Sequence, residues 1–344
     1  MSGESLFKNT MKKPVISVVI ACYNGQKYIK KCLDCVLKSN YVHYQVVIVD
    51  DASKDRTREI LEKYQQKKNV KMCYLSNNKG PAYARNYGVK HSSGSYILFI
   101  DMDCEIEKNA LKVIVQKFER NHSIGAIVMK LLTKNGGQID NAGCFMSIFG
   151  YPYEVGAGEN KNIFNKEQFV FGAKTAGLAV RRNVFNKIGG FDEDYMIHGE
   201  DIDLTWRMWL GGYKVLYLPT ALGFHYQKGS FGKNTSHLIF YEGTKNNLSN
   251  LLKNMPIKIL VWMLPLHIIF LILLTVKLCM EKRVKMAKEV LKGIFWNINN
   301  IRKTLHKRKQ ILNKANLDAV EKIMFGPIKI NRVISKGWRW FRNA

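Results

Sequence analysis

The stretch that most constrains this chain is Tyr96-Ile97-Leu98-Phe99-Ile100-Asp101-Met102-Asp103. An unbroken apolar run follows Gly94-Ser95 and ends in two acids. Such a run suits a central strand of a parallel sheet covered on both faces. Two carboxylates at the end of a buried strand are costly to desolvate unless a cation meets them. In open α/β sheets, ligands bind at the carboxyl ends of the strands. Asp-x-Asp there can place one carboxylate on a divalent cation and the other on a ribose hydroxyl or a water of the same ion. Mg²⁺ and Mn²⁺ favour such oxygen ligands and share them with diphosphate oxygens. The competing reading is that Asp101 opens a turn and Asp103 caps a helix from Lys108 onward.

The surrounding sequence alternates strand and helix. Val15–Ala21 reads as a first strand, turned by Tyr23-Asn24-Gly25 into a helix over 26–38 with apolar spacing at Ile29, Leu33, Val36 and Leu37. A second strand over 45–49 ends in Asp50-Asp51-Ala52-Ser53 and precedes a helix over 56–67. A third strand over 70–75 leads through Asn77-Asn78-Lys79-Gly80-Pro81 to a helix ending near Lys90. After the central strand come a helix over 108–120 and a strand over 124–132. This is a βαβ array, so an α/β fold with a mostly parallel central sheet is expected. The first turn carries one glycine, not the GxGxxG of a dinucleotide-binding domain. Residues 133–170 are irregular and rich in Gly and Asn, which suggests loops and short antiparallel strands. Order returns over 171–181. A further helix opens at His198-Gly199-Glu200-Asp201, and a last strand over 214–218 ends at Pro219, followed by a loop with His225.

The net charge of +27 is unevenly spread. From Glu281 to Ala344 there are 17 Lys and Arg against 4 acids, a net +13. A basic tail seeks phosphate, either in nucleic acid or in anionic lipid. Ile259–Val276 is an uncharged apolar run between Lys258 and Lys277. At about 1.5 Å per residue it reaches about 27 Å, borderline for a hydrocarbon core of about 30 Å. A single crossing would put the basic tail opposite the rest of the chain, against the positive-inside tendency. A re-entrant or interfacial segment kinked at Pro265 is therefore expected, with Trp262, Trp296, Trp338 and Trp340 at the interface. A buried core helix is the alternative. Residues 1–13 show no secretory h-region, and the 7 scattered cysteines fit a reducing compartment. Cys32-Leu33-Asp34-Cys35 reads as a helical i, i+3 pair, since no second pair accompanies it. The expected division is an extension over 1–13, a catalytic domain over 14–245 and membrane-associated helices over 246–344.

Acids and one histidine fall at element ends: Asp50-Asp51, Asp101 and Asp103, then His198, Glu200, Asp201 and Asp203. A helix N-terminus favours an ionised carboxylate, so a base at Asp201 is expected to stay deprotonated near neutral pH. Val18-Val19-Ile20-Ala21-Cys22-Tyr23-Asn24, Val49-Asp50-Asp51-Ala52-Ser53, Asp101-Met102-Asp103 and Gly199-Glu200-Asp201-Ile202-Asp203-Leu204 resemble the ordered motifs of family 2 glycosyltransferases with the GT-A fold. Trp206-Arg207 through Gly211-Gly212-Tyr213 to Pro219 and His225 is similar to the rhamnosyltransferase-like branch. So is Lys245-Asn246-Asn247-Leu248 to Leu251-Leu252-Lys253-Asn254. The resemblance covers about residues 14–256.

The resemblance implies inverting transfer of a hexosyl group from a nucleotide-diphosphate sugar. It places Tyr23 on the donor base with Asn24 beside it, Asp51 in a hydrogen bond to the base with Asp50 in support, Arg85 on the nucleotide and Asp101 facing the ribose. It places Asp103, and His225 with it, on Mg²⁺ or Mn²⁺. Asp201 becomes the base that deprotonates the acceptor hydroxyl, with Thr175, Gly177 and Glu200 near the acceptor. No Gln-x-x-Arg-Trp of the processive synthases is present, so transfer of a single sugar is expected. The implied partners are the sugar donor, a lipid-linked or membrane-proximal glycan acceptor and an anionic membrane surface at the cytoplasmic face. No nucleic acid is expected. Two rivals remain at this point. A nucleotidyltransferase also uses paired acids and metal, but usually has a Gly-rich basic loop after the first strand. A non-catalytic membrane- or RNA-binding protein would explain the charge.

Overall fold

The computed structural model describes residues 15–226, 236–313 and 315–326. Its elements follow the expected alternation. β1 (Ile16–Cys22), α1 (Ile29–Leu37), β2 (Tyr44–Asp50), α2 (Thr57–Glu62), β3 (Val70–Tyr74), α3 (Pro81–Lys90) and β4 (Tyr96–Asp101) form the first half. β1 pairs in parallel with β2 and β4, and β2 with β3. The apolar residues of β1, β2 and β4 other than Ala21 are buried, as strands covered on both faces must be. Burial of each such Val, Ile or Leu side chain contributes about 1.5–3 kcal/mol.

β5 (Cys104–Ile106), α4 (Ala110–Arg120) and β6 (Ile124–Thr133) follow, then the short strands β7 (Ile139–Asn141), β8 (Cys144–Met146), β9 (Pro152–Glu154) and β10 (Gln168–Phe169). β11 (Leu178–Arg181), α5 (Arg182–Lys187), α6 (Glu200–Leu210) and β12 (Lys214–His225) complete this part. The sheet order is β10-β12-β6-β11-β4-β1-β2-β3, with β5 on β12 and β7 on β6. β11 is antiparallel to both β4 and β6, so the sheet is mixed. The excursion over 133–177 leaves β6 and enters β11 at the same sheet edge, which sets that direction.

β12 corrects one expectation. It does not stop at Pro219. A register shift between Leu218 and Leu222 absorbs the proline, and the strand runs on to His225. A proline with no N–H to donate is tolerated at such an irregularity. His225 is thus fixed in a strand, paired with Cys104 of β5, and not in a loop.

The C-terminal helices are α7 (Ser236–Asn254), α8 (Ile257–Met280), α9 (Val284–Asn299), α10 (Ile301–Leu312) and α11 (Leu317–Met324). The division expected at 245/246 falls inside α7. Leu251, Met255, Ile259, Leu260, Met263, Val320 and Met324 share one apolar core with β6, β11 and α6. Pro265 does not end or re-enter the segment: α8 is one helix of 24 residues with Pro265 inside it. Its length and composition suffice to cross a membrane. Ile259, Met263, His267, Leu271, Leu274 and Leu278 form a buried stripe along it, and Val261, Ile269, Ile272, Val276 and Met280 are exposed. Part of the basic tail meets acids within the protein. Lys303 and Lys307 of α10 lie 2.6 Å from Asp194 and Asp192. Trp338 and Trp340 fall outside the described residues.

Candidate active site

The parallel register builds one side of a cleft. Cys22 pairs with Asp50 and Ala21 with Asp101, so the chain leaves β1, β2 and β4 at one level of one sheet edge. The turns after β1 and β2 then latch together. Asn24 donates its N–H to Ser53 Oγ (2.9 Å), and the Lys54 N–H donates to Asn24 Oδ1 (2.8 Å). Gly25 N–H donates to Thr57 Oγ1 (2.7 Å). Asn24 sits at φ 53° and Ala52 at φ 61°, both left-handed. Backbone of this kind costs about 1–3 kcal/mol per residue and persists where neighbours over-determine it. Asp50 is fully buried and faces Arg58 (3.4 Å). Both oxygens of buried Asp51 accept backbone N–H groups, from Lys79 (2.7 Å) and Gly80 (2.8 Å). Burial pushes its carboxyl up, against those two bonds. Gly80 (φ 85°) has a reason to be glycine: a Cβ there would stand 2.7 Å from the Met196 carbonyl oxygen.

Arg85 is buried between the two sides. Its Nη2 lies 2.8 Å from Asp101 and its Nη1 2.8 Å from Glu200. It braces the end of β4 against the start of α6 and does not stand open to a nucleotide. Glu200 is likewise turned to Arg85. Arg85 Nε and Glu200 Oε2 are buried and have no hydrogen-bond partner among the described residues.

Beyond β4 the chain presents Asp103. The Tyr226 N–H donates to the Asp103 carbonyl (3.1 Å), which holds the end of β12 beside it. His225 Nε2 comes to 3.5 Å from Asp103 Oδ1, and its Nδ1 is 2.9 Å from Asp140 Oδ2. One carboxylate and one imidazole, the latter oriented by a second carboxylate, suit a Mg²⁺ or Mn²⁺ ion that keeps positions for other oxygens. Cys104 lies within the same cluster. A cysteine sulfur is a soft ligand and a poor match for a hard cation. A cleft of about 240 Å³ opens beside Asp103, lined by Lys27, Lys31 and Lys134 among others. Lys31 pairs with Glu105 (2.6 Å) and contacts the Tyr226 hydroxyl.

Asp201 stands in the first turn of α6, partly exposed, with Oδ1 accepting the Ile202 N–H (2.8 Å). The expectation that the helix terminus keeps it readily ionised is outweighed. Burial of the carboxyl and the Glu200 charge push its pKa up to about 7, against the Ile202 N–H and Arg85. A carboxyl poised there exchanges a proton near neutral pH.

Tyr23 is half-buried and Asn24 exposed on the latched turn. Thr175 and Gly177 form a buried 3-10 turn before β11. A Cβ on Gly177 would stand 3.0 Å from Leu131 and 3.1 Å from Met129, so that glycine serves packing. Asp140 and Lys174 escape a reading of the sequence. Lys174 Nζ is 2.8 Å from Glu154 and 3.6 Å from Asp140. The available signal is an acid in an irregular stretch of a basic chain, too weak to place it behind His225. Asp203 is not a site acid: fully buried, it pairs with Arg207 (2.5 Å) and Lys253 (2.8 Å).

Comparison with known proteins agrees with this geometry. The family model described as glycosyl transferase family 2 matches residues 17–189. The poly-beta-1,6-N-acetyl-D-glucosamine synthase of Staphylococcus epidermidis is 27% identical over 211 residues, covering 60% of this chain and 48% of the relative. The chain thus spans about half the length of the curated relatives it matches. Among solved structures, GalNAc-T7 with UDP, GalNAc and Mn²⁺ superposes at TM-score 0.57 with 19% identity, over 70% of this chain and 48% of that one. Staphylococcus aureus TarS 1-349 with UDP-GlcNAc superposes at 0.56 with 22% identity, over 90% of each. Both carry the same mixed α/β fold, GT-A. With its matched segment running from β1 to α5, this chain belongs to glycosyl transferase family 2.

Proposed function

We propose that this chain transfers one hexosyl-type sugar, with inversion, from a nucleotide-diphosphate sugar to a hydroxyl of a lipid-linked or membrane-proximal glycan at the cytoplasmic face of a membrane. The observation that carries the reading is the Arg85 bridge. It ties Asp101, two residues before Asp103, to Glu200, the neighbour of Asp201, which supports a reading in which a cation site and a base serve one reaction centre. Asp103 and His225 would hold Mg²⁺ or Mn²⁺, which would supply positive charge to the leaving diphosphate. Tyr23 and the Asp51-held loop bind the nucleotide, Asp101 faces its ribose, and Lys27, Lys31 and Lys134 add charge beside it. Asp201 takes the acceptor hydroxyl proton as that oxygen attacks the anomeric carbon from the face opposite the diphosphate. Thr175, Gly177 and Glu200 shape the acceptor side from behind. The relatives direct the first donor trial to UDP-GlcNAc.

Membrane association is supported by α8 and α9. The buried stripe of α8 runs its full length, so the helix lies along the protein, and α9 also exposes apolar side chains, Val284, Leu291, Phe295 and Ile298. An apolar face flanked by lysines suits the plane of an anionic interface.

The test is UDP release from UDP-GlcNAc with Mn²⁺, compared in the native chain and Asp201→Asn, together with UDP binding. The variant should lose at least about 1,000-fold in turnover, about 4 kcal/mol of barrier, and still bind UDP. In the native chain turnover should rise with pH through about 7 as Asp201 loses its proton. Undiminished turnover in Asp201→Asn would overturn the base assignment.

A further inference from the structure

The loop before Asp201 has an unusual backbone. His198 (φ 61°) and Gly199 (φ 82°) are consecutive left-handed residues directly ahead of Glu200-Asp201. A β-carbon-bearing residue there does not hold that conformation by itself. α7 lies behind this loop and presents a polar row at helical spacing. Asn246 Nδ2 donates to the carbonyls of Ile197 (2.8 Å) and His198 (2.7 Å). Asn250 Nδ2 donates to the Gly199 carbonyl (3.0 Å), and its Oδ1 accepts the Tyr195 hydroxyl (2.8 Å). Glu242 accepts the Met196 N–H (3.1 Å). One turn further, Asn254 Nδ2 donates to Asp203 Oδ1 (2.9 Å). Three successive carbonyls are therefore taken by two side-chain amides of one helix, and all of these α7 residues are buried. A soluble helix gains nothing from burying such a row unless each group has a partner. Here the Nδ2 groups of Asn246 and Asn250 are spent on the backbone directly ahead of Asp201, while Asn246 Oδ1 and Asn254 Oδ1 have no hydrogen-bond partner among the described residues.

We infer that Asn246 and Asn250 of α7 are positioning residues for Asp201, fixing the 197–199 backbone so that its carboxylate meets the acceptor hydroxyl. The inference rests on Asp201 being the base, as proposed above. It gives a task to the Lys245-Asn246 to Lys253-Asn254 stretch that packing alone does not explain.

The experiment uses the full chain and the variants Asn250→Ala, Asn250→Asp, Asn246→Ala, Tyr195→Phe and Asp201→Asn. Amide hydrogen exchange is followed across 195–203, and UDP release from UDP-GlcNAc with Mn²⁺ gives kcat and KM. UDP binding and thermal melting show that each variant is folded. Asn250→Ala and Asn246→Ala should raise exchange over 195–203 at least about tenfold, with little change in β1–β4. Their kcat should fall by about 100-fold, the scale of an approximately 1 Å misplacement, with KM for UDP-GlcNAc and UDP affinity unchanged. Asn250→Asp keeps the size and loses the donors, so it should behave like Asn250→Ala. Tyr195→Phe should show the same pattern in smaller degree. Unchanged exchange over 195–203 in both alanine variants overturns the inference, whatever the turnover. So does a kcat within about twofold of native in Asn250→Ala while Asp201→Asn is inactive. Full turnover in Asp201→Asn would sink the base assignment itself, an outcome distinct from the other two.

Discussion

On the donor side of the cleft, the turns after β1 and β2 hold each other through short-range partners. Asn24, Ser53, Lys54 and Thr57 bond across a gap of about one βα unit. On the base side, the 192–199 loop has short-range bonds at Asp192–Tyr195, and Asn86 of α3 reaches Glu193. Otherwise it is held by side chains of α7 and α10, from Glu242 to Lys307. The donor side can therefore form once the parallel strands pair. The base side is complete only when the C-terminal helices have docked. The helices that hold this loop, α7 and α10, are not the ones that expose an apolar face, α8 and α9, but all four pack together at the C-terminal end of the chain.

That contrast is sharpest at Asp203. Burial pushes its carboxyl up, but Arg207 and Lys253 outweigh this and hold it below the usual carboxylate range. Asp203→Ala would leave both cations buried without their acid. It should cost about 3–5 kcal/mol of stability in urea unfolding. Removing one donor-side bond, with Asn24→Ala, should cost about 0.5–1.5 kcal/mol. The sign with pH follows from the depressed value. The Asp203 contribution is fully present above the ordinary carboxylate pKa and is lost as pH falls through the folded value. Equal costs for the two variants would break the comparison.

The same contrast sets what the sequence discloses. Strand-end acids such as Asp50, Asp51, Asp101 and Asp103 follow apolar runs whose period and length are local, so their place at one sheet edge is readable. Asp201 is placed by its helix start, but its raised pKa is not, because burial depends on what covers it. His225 is readable as a candidate ligand and misplaced into a loop, since a proline looks like a strand end when the bulge that absorbs it is unseen. Arg85 is readable as a site residue, but its ion pairs with Asp101 and Glu200 are not. Asp140, Lys174 and the asparagines of α7 act through contacts tens of residues away, and no local pattern encodes those. Pro265 does not break the helix either: α8 runs through it, with Met263, His267 and Leu271 buried on either side of the proline.

Asp140 tests the intermediate case, a residue on neither latch that orients the proposed metal ligand. It is buried, and its Oδ2 is 2.9 Å from His225 Nδ1. Asp140→Asn should weaken Mn²⁺ binding by about 10–100-fold, as loss of an outer carboxylate behind a ligating histidine does. Mn²⁺ titration in the presence of UDP measures it. UDP affinity without metal should not move. Unchanged Mn²⁺ affinity would remove Asp140 and weaken the case for His225 as a ligand.

The smallest effect is expected where the base-side loop meets solvent. Asp194 takes Lys303 at 2.6 Å and Lys307 at 2.8 Å. The Lys303 side chain is 53% exposed, whereas Lys253 beside Asp192 is 2% exposed. Water screens the first pair and not the second. Lys303→Ala should therefore change stability by no more than about 1 kcal/mol, and less at high salt. Lys253→Ala leaves Asp192 and Asp203 short of a buried cation and should approach the cost of Asp203→Ala. If Lys303→Ala proved as damaging as Lys253→Ala, the loop would be held by the α10 rim and not by the buried row of α7. The contrast between the two sides of the cleft would then lie in chain length alone and not in burial.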